Sequence, residues 1–181
     1  MTWRVLIERT LVPTMNRDLF VGEHQAHLPI PPHPGAFGVK RTHHTHEGVD
    51  LYCPQGTPVF AVEDGEIVAV IPFTGRLAIP PSPWWRETEA VLVEGASGVV
   101  VYGEIAPVVR RQLGYKLQRS EPVGYVIQVL TKDKRYPLSM LHLELHVPGT
   151  RYAYDWLDER PPSLLDPTPF LFEAALEERH E

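Results

Sequence analysis

The sequence predicts an all-β fold built as one domain, and three observations predict it. Nineteen prolines and thirteen glycines interrupt 181 residues, too often for long helices, so short strands joined by turns become the default. Apolar residues make up 43% of the chain, enough for a packed core. Apolar runs of strand length recur between turn signals from Val49 onward, as they do in sheets.

Taken in order, residues 1–35 read as an N-terminal arm. Thr2 to Leu11 suits one strand, and the Pro29-Ile-Pro-Pro-His-Pro34 segment must be extended or turning, since proline excludes helix interiors and donates nothing to a ladder. Val49–Tyr52, Pro58–Glu63 and Glu66–Pro72 are short β-rich runs separated by turns at Gln55-Gly56 and Asp64-Gly65. Residues 73–88 form a proline-rich loop that carries Trp84 and Trp85. Glu89–Glu94 and Gly98–Ile105 flank a tight turn and predict a hairpin, and further strands are expected at Pro122–Leu130 and Leu141–Val147. Only Pro169–Glu178 suggests a helix, which places a domain over 36–172 and a helical tail over 173–181.

Composition excludes several partners. The formal charge is −6, and the basic clusters (Arg110-Arg111; Lys132, Lys134, Arg135) are too small for a phosphate-driven nucleic-acid binder. No apolar run approaches the roughly 20 residues of a membrane span. The first eleven residues are broken by Arg4, Glu8 and Arg9 and lack the apolar stretch of a secretion signal, so a cytoplasmic location is expected. The single cysteine, Cys53, forms no intrachain disulfide and is expected to be buried and inert.

Two segments carry the chemistry. In His46-Glu-Gly-Val-Asp50 a straight strand would hold the imidazole and the carboxylate roughly 13 Å apart. A bend at Glu47-Gly48 would bring them together, and glycine permits one. In Met140-Leu-His142-Leu-Glu144-Leu-His146 the alternation is strict, with three leucines on one face and Met140, His142, Glu144 and His146 on the other. A His, Asp, His set is a common zinc donor combination that leaves a fourth position open. Each segment read alone is equally consistent with an ordinary polar loop and a solvent-facing strand edge.

Together the two segments resemble the lysostaphin/LytM-type zinc metallopeptidases, which cleave peptide crosslinks of bacterial cell walls. Their first motif, His-x-Gly-x-Asp followed by a Gly-Thr-Pro-Val turn and an Ala-x-x-x-Gly-x-Val stretch, is matched by His46 to Asp50, Gly56 to Val59, Ala61, Gly65 and Val68. Later matches run through Val99–Ile105, Pro122–Gly124, Met140–Glu144 and Asp166-Pro167 before Phe170, so the resemblance covers about 36–172. It implies a distorted β-sandwich of antiparallel sheets and one Zn²⁺ held by His46, Asp50 and His142. Strand spacing puts Glu144 about 6.6 Å from His142, where it would support that ligand from behind. The tryptophan loop has no counterpart in the family, and Trp84 and Trp85 would either line a substrate groove or pack over a sheet edge.

The resemblance is uneven at the catalytic positions. The two catalytic histidines of these enzymes fall on Glu104 and Met140. Methionine neither transfers a proton nor donates a hydrogen bond, and lost acid–base help is worth roughly 10²–10⁴-fold in rate. The departures imply a zinc-binding domain without ordinary endopeptidase activity, a binding or regulatory module for a peptide or peptidoglycan fragment. The alternative is an active zinc hydrolase with Glu104 as general base. The plainer role for Glu104 is to orient a ligand or cap a strand end, and His43, His44 or a histidine of the N-terminal arm could reach in where Met140 stands.

Overall fold

In a computed structural model of the chain, the described residues are 3, 4, 7, 10–14, 25–108, 112–132 and 138–177. Short strands between turns dominate them. β1 (Thr10–Thr14) and β2 (Gln25–Pro29) pair in parallel. Nine more strands form one hydrogen-bonded antiparallel system: β3 (Val49–Tyr52), β4 (Pro58–Phe60), β5 (Gly65–Thr74), β6 (Thr88–Gly95), β7 (Val99–Pro107), β8 (Lys116–Leu117), β9 (Pro122–Val126), β10 (Met140–His146) and β11 (Leu164–Leu165). Its spine runs β11-β10-β7-β6-β5-β8, with β3 attached to β10 and β9 attached to β7.

The expected all-β class holds, and the predicted hairpin is the β6–β7 pair. Two strands are shorter than the sequence suggests. β4 stops at Phe60 and β9 at Val126, beyond which only isolated bridges remain, at Gln128 and Leu130. Helix α1 (Thr168–Glu177) begins where the Asp166 carboxylate accepts the Thr168 amide at 2.8 Å and buries Leu171, Ala174 and Ala175. The expected final residue, Glu178, lies outside the described residues, as do half of Thr2–Leu11 and Arg110, Arg111, Lys134 and Arg135.

The N-terminal segment is stitched into the same core as the sheet. Trp3, Ile7 and Leu28 are buried with Val49, Leu51, Val91, Tyr102 and Leu143. Trp3 stacks on Phe170 at 4.8 Å and donates to Ser97 Oγ. The leucine face of β10 faces this core, as its alternation requires. The opposite face of β10 is buried as well, because β3 and β7 flank the strand and the loops around 73–88 and 150–157 stand over it. The solvent-facing alternative for Glu144 is therefore excluded. It is 3% exposed. No helix among the described residues is long and apolar enough to cross a membrane.

Candidate metal centre

Strand register does most of the assembly. Asp50 on β3 and His142 on β10 are directly opposed residues, so their side chains leave the sheet on the same face. His46 arrives from the loop before β3. Gly48 lets it do so, though not through an unusual φ: a Cβ there would lie 2.4 Å from the Leu143 carbonyl and 2.9 Å from the His142 ring. The glycine is demanded by close approach of loop and strand. The expected turn at 47–48 is present, and its physical reason is steric.

Three donor atoms then converge. His46 Nε2 lies 3.1 Å from Asp50 Oδ1 and 3.3 Å from His142 Nδ1, and the last two are 2.8 Å apart. The outer partners fix the tautomers. His46 Nδ1 faces the Ala36 carbonyl at 3.0 Å, and His142 Nε2 faces Glu144 Oε1 at 3.0 Å. Both acceptors require a proton on the ring nitrogen they face, which leaves two imidazole lone pairs and a carboxylate oxygen pointing at one another. Three acceptors at such distances call for a cation between them. Zinc bonds of 2.0–2.1 Å in a tetrahedron separate neighbouring ligand atoms by about 3.3 Å, so the donors fit. These side chains form a candidate site for a divalent metal ion.

The electrostatics agree. Burial pushes the Asp50 carboxyl up, but His46, Arg41 and His142 beside it hold it well below the usual carboxylate range. Arg41 Nη2 reaches Asp50 Oδ2 at 2.5 Å while Nε and Nη2 also donate to the Pro34 carbonyl. The guanidinium thus occupies one carboxylate oxygen and leaves the other toward the histidines. Burial lowers His46 to about 4 against the pull of Asp50, keeping it neutral as a ligand must be. Burial also lowers His142, but its hydrogen bonds to Asp50 and Glu144 outweigh that and raise it well above the ordinary range.

Chains of known structure with this architecture include the antimicrobial peptidase lysostaphin from Staphylococcus simulans, at 20% identity and a TM-score of 0.50 over 77% of this chain and 48% of that one. The fold is lysostaphin-like. A second match is cbpa from L. salivarius REN, at 16% identity and a TM-score of 0.52, covering 79% of this chain and 87% of that chain. The chain spans about half the length of lysostaphin. No protein-family model matches it, and no curated protein matches it either.

On this lysostaphin-like fold the triad opens into a cavity of about 680 Å³. Trp84, Trp85, Glu104 and Met140 all line it, together with His43 and His44. His44 Nε2 sits 3.8 Å from Glu47 Oε2, and burial lowers its pKa. Glu144 accepts from His142 with one oxygen and meets His146 Nε2 with the other at 2.7 Å. Glu144 is pulled to about 2, against burial, by its two histidine hydrogen bonds.

Glu104 sits where the strand ladder changes partners. It lies between Gly103, the last residue of β7 paired with β10, and Ile105, the first paired with β9. There a bulge against β6 interrupts the ladder, and Glu104 takes φ 62°. Such a conformation costs a β-carbon-bearing residue about 1–3 kcal/mol and is concentrated at functional sites. Phe73 packs on the bare face of Gly103, where a Cβ would lie 2.6 Å from its ring. The Glu104 carboxyl is buried, and its Oε2 has no hydrogen-bond partner among the described residues. Through that oxygen it makes neither a strand-end cap nor a hydrogen bond to a ligand residue among the described residues. Burial, and then the charge of Asp50, raise its pKa to about 8.

Two contributors escaped the sequence reading. Arg41 stands in no motif of the resemblance, and its only signal is a basic residue five positions before His46. His146 has no role in the sequence reading beyond its place on the polar face of its strand, yet Glu144 links it to His142, and His146 in turn meets Ser163 Oγ at 3.1 Å.

Proposed function

We propose that the chain is a zinc-dependent hydrolase of peptide bonds, acting on a peptide or peptidoglycan-like substrate, in which Glu104 handles the proton that histidines handle in the enzymes it resembles. His46, Asp50 and His142 would hold the ion. Zinc so held supplies Lewis-acid chemistry, polarising a carbonyl and lowering the pKa of water.

The chain's own residues do the rest. Arg41 fixes which Asp50 oxygen faces the histidines. Glu144 fixes the His142 tautomer, held in turn by His146. Glu104 presents to the cavity a buried carboxyl whose Oε2 has no hydrogen-bond partner among the described residues, with a pKa near the working range of a general acid or base. The observation that carries this reading is that oxygen: buried, without a described partner, on a strained backbone, beside three donors that suit a cation. Buried polar groups are otherwise almost always satisfied.

One observation favours a second reading, a zinc-dependent peptide-binding module without turnover. Met140 is buried on the cavity wall and contributes only apolar surface. A single experiment separates the two. Zinc-loaded protein is incubated with peptidoglycan and with glycine-rich peptides, beside Glu104→Gln. Cleavage lost in the variant at unchanged zinc stoichiometry supports the hydrolase. Absence of cleavage by the unaltered chain moves the conclusion to the binding module.

A further inference from the structure

The cavity beside the triad has a wall that the proton chemistry does not use. Ile79, Trp84, Tyr154 and Leu157 are 74%, 63%, 52% and 63% exposed and all line that one cavity. Large apolar side chains scattered singly over a surface need no explanation, but a contiguous set rimming a concave site marks a place where something apolar is bound. The wall is also held in position. Tyr152 Oη donates to the Ile79 carbonyl at 3.0 Å, joining the 73–88 loop to the 150–157 segment. Thr131 Oγ1 donates to the Trp84 carbonyl at 2.9 Å, and Arg86 N donates to the Val129 carbonyl just behind it at 2.9 Å.

Charge narrows the occupant further. Five carboxyl groups line the cavity, those of Glu47, Asp50, Glu104, Glu144 and Asp155, against one guanidinium, Arg41, which Asp50 already engages. With Glu104 protonated and a divalent ion held by the triad, the other four carboxylates still outweigh the positive charge. An anionic ligand finds no uncommitted Lys or Arg on these walls, whereas a neutral one meets no repulsion and a cationic one is attracted.

We infer that the cavity takes a short peptide segment bearing a bulky apolar or aromatic side chain, seated on Ile79, Trp84, Tyr154 and Leu157, with no acidic residue beside it. This rests on the reading of the cavity as a peptide site and gives it a substrate class. Its volume of about 680 Å³ suits a few residues and lies within the range of ligand pockets. A glycine-only segment would leave the wall uncovered.

The test is calorimetric titration of the zinc-loaded full chain, and in parallel of zinc-loaded Glu104→Gln, with three capped pentapeptides. These are pentaglycine, the same peptide with phenylalanine at its centre, and the phenylalanine peptide with glutamate at its second position. The phenylalanine peptide is expected to bind at least about tenfold more tightly than pentaglycine, the factor that burying one such side chain supplies, and the glutamate peptide more weakly than its neutral counterpart. Trp84→Ala and Leu157→Ala, both at exposed positions, should each reduce the phenylalanine preference at unchanged zinc stoichiometry. Equal binding of the glycine and phenylalanine peptides, binding of none of them, or a preference untouched by both variants overturns the inference. Cleavage is scored separately. A retained preference without turnover sinks the hydrolase and leaves this inference standing, and turnover without the preference does the reverse.

Discussion

Asp50 Oδ1 and His142 Nδ1 lie 2.8 Å apart across ninety-two positions of sequence because β3 and β10 pair with those two residues in direct register. His46 Nε2 completes a triangle with them. Register, rather than a flexible loop, therefore holds two of the three donors before any ion arrives. A one-residue slip would turn one of them to the opposite face.

Zinc should stabilise the fold accordingly. An ion that binds the folded chain alone contributes about 2.7 kcal/mol at a hundredfold excess over Kd. For a chain of this size that raises Tm by roughly 5–11 °C. Differential scanning calorimetry with zinc and then with excess chelator checks it, and Asp50→Asn should abolish the shift.

Gly48→Ala should damage both fold and site. The added methyl meets the Leu143 carbonyl at 2.4 Å, a backbone atom pinned within β10, so the loop must move. A loss of about 1–3 kcal/mol or more is expected, read as a lower denaturation midpoint, together with weaker zinc binding. An unchanged midpoint would contradict the close packing described here.

Glu144→Ala should weaken zinc binding by roughly 10–100-fold without removing a donor atom, as loss of a partner behind a ligating histidine does. It also strands two buried imidazoles, His142 and His146, at about 1–3 kcal/mol for each unsatisfied group. Competition against a chelator of known affinity gives the first effect, and urea unfolding of the metal-free chain gives the second.

Glu104 should make the metal-free protein less stable as pH rises. Its carboxyl is raised from 4.5 to about 8, so between those values the folded chain holds a proton that the unfolded chain has released. Stability falls with pH in that window, by up to about 1.4 kcal/mol per pH unit, and levels off below it. Glu104→Gln removes this slope. Comparing unfolding free energies of the two metal-free proteins at pH 5 and pH 8 measures the difference, and parallel curves would refute the raised pKa.

Much of this was readable from residue order alone. The density of proline and glycine set the all-β class and the alternation of Met140 to His146 set the strand, since side-chain period and turn chemistry are local properties, while the donors were named by the motif resemblance at His46 to Asp50 and at His142. What tertiary structure decided is how those segments face one another. Only the β3–β10 register shows that Asp50 meets His142, and only the folded chain shows that Glu104 Oε2 is buried without a partner among the described residues. Arg41 and the Glu144–His146 link were equally invisible, because each depends on contacts between segments. Local propensity fixes which way a side chain leaves its strand. What it meets there depends on long-range packing, and no spacing in the sequence encodes that.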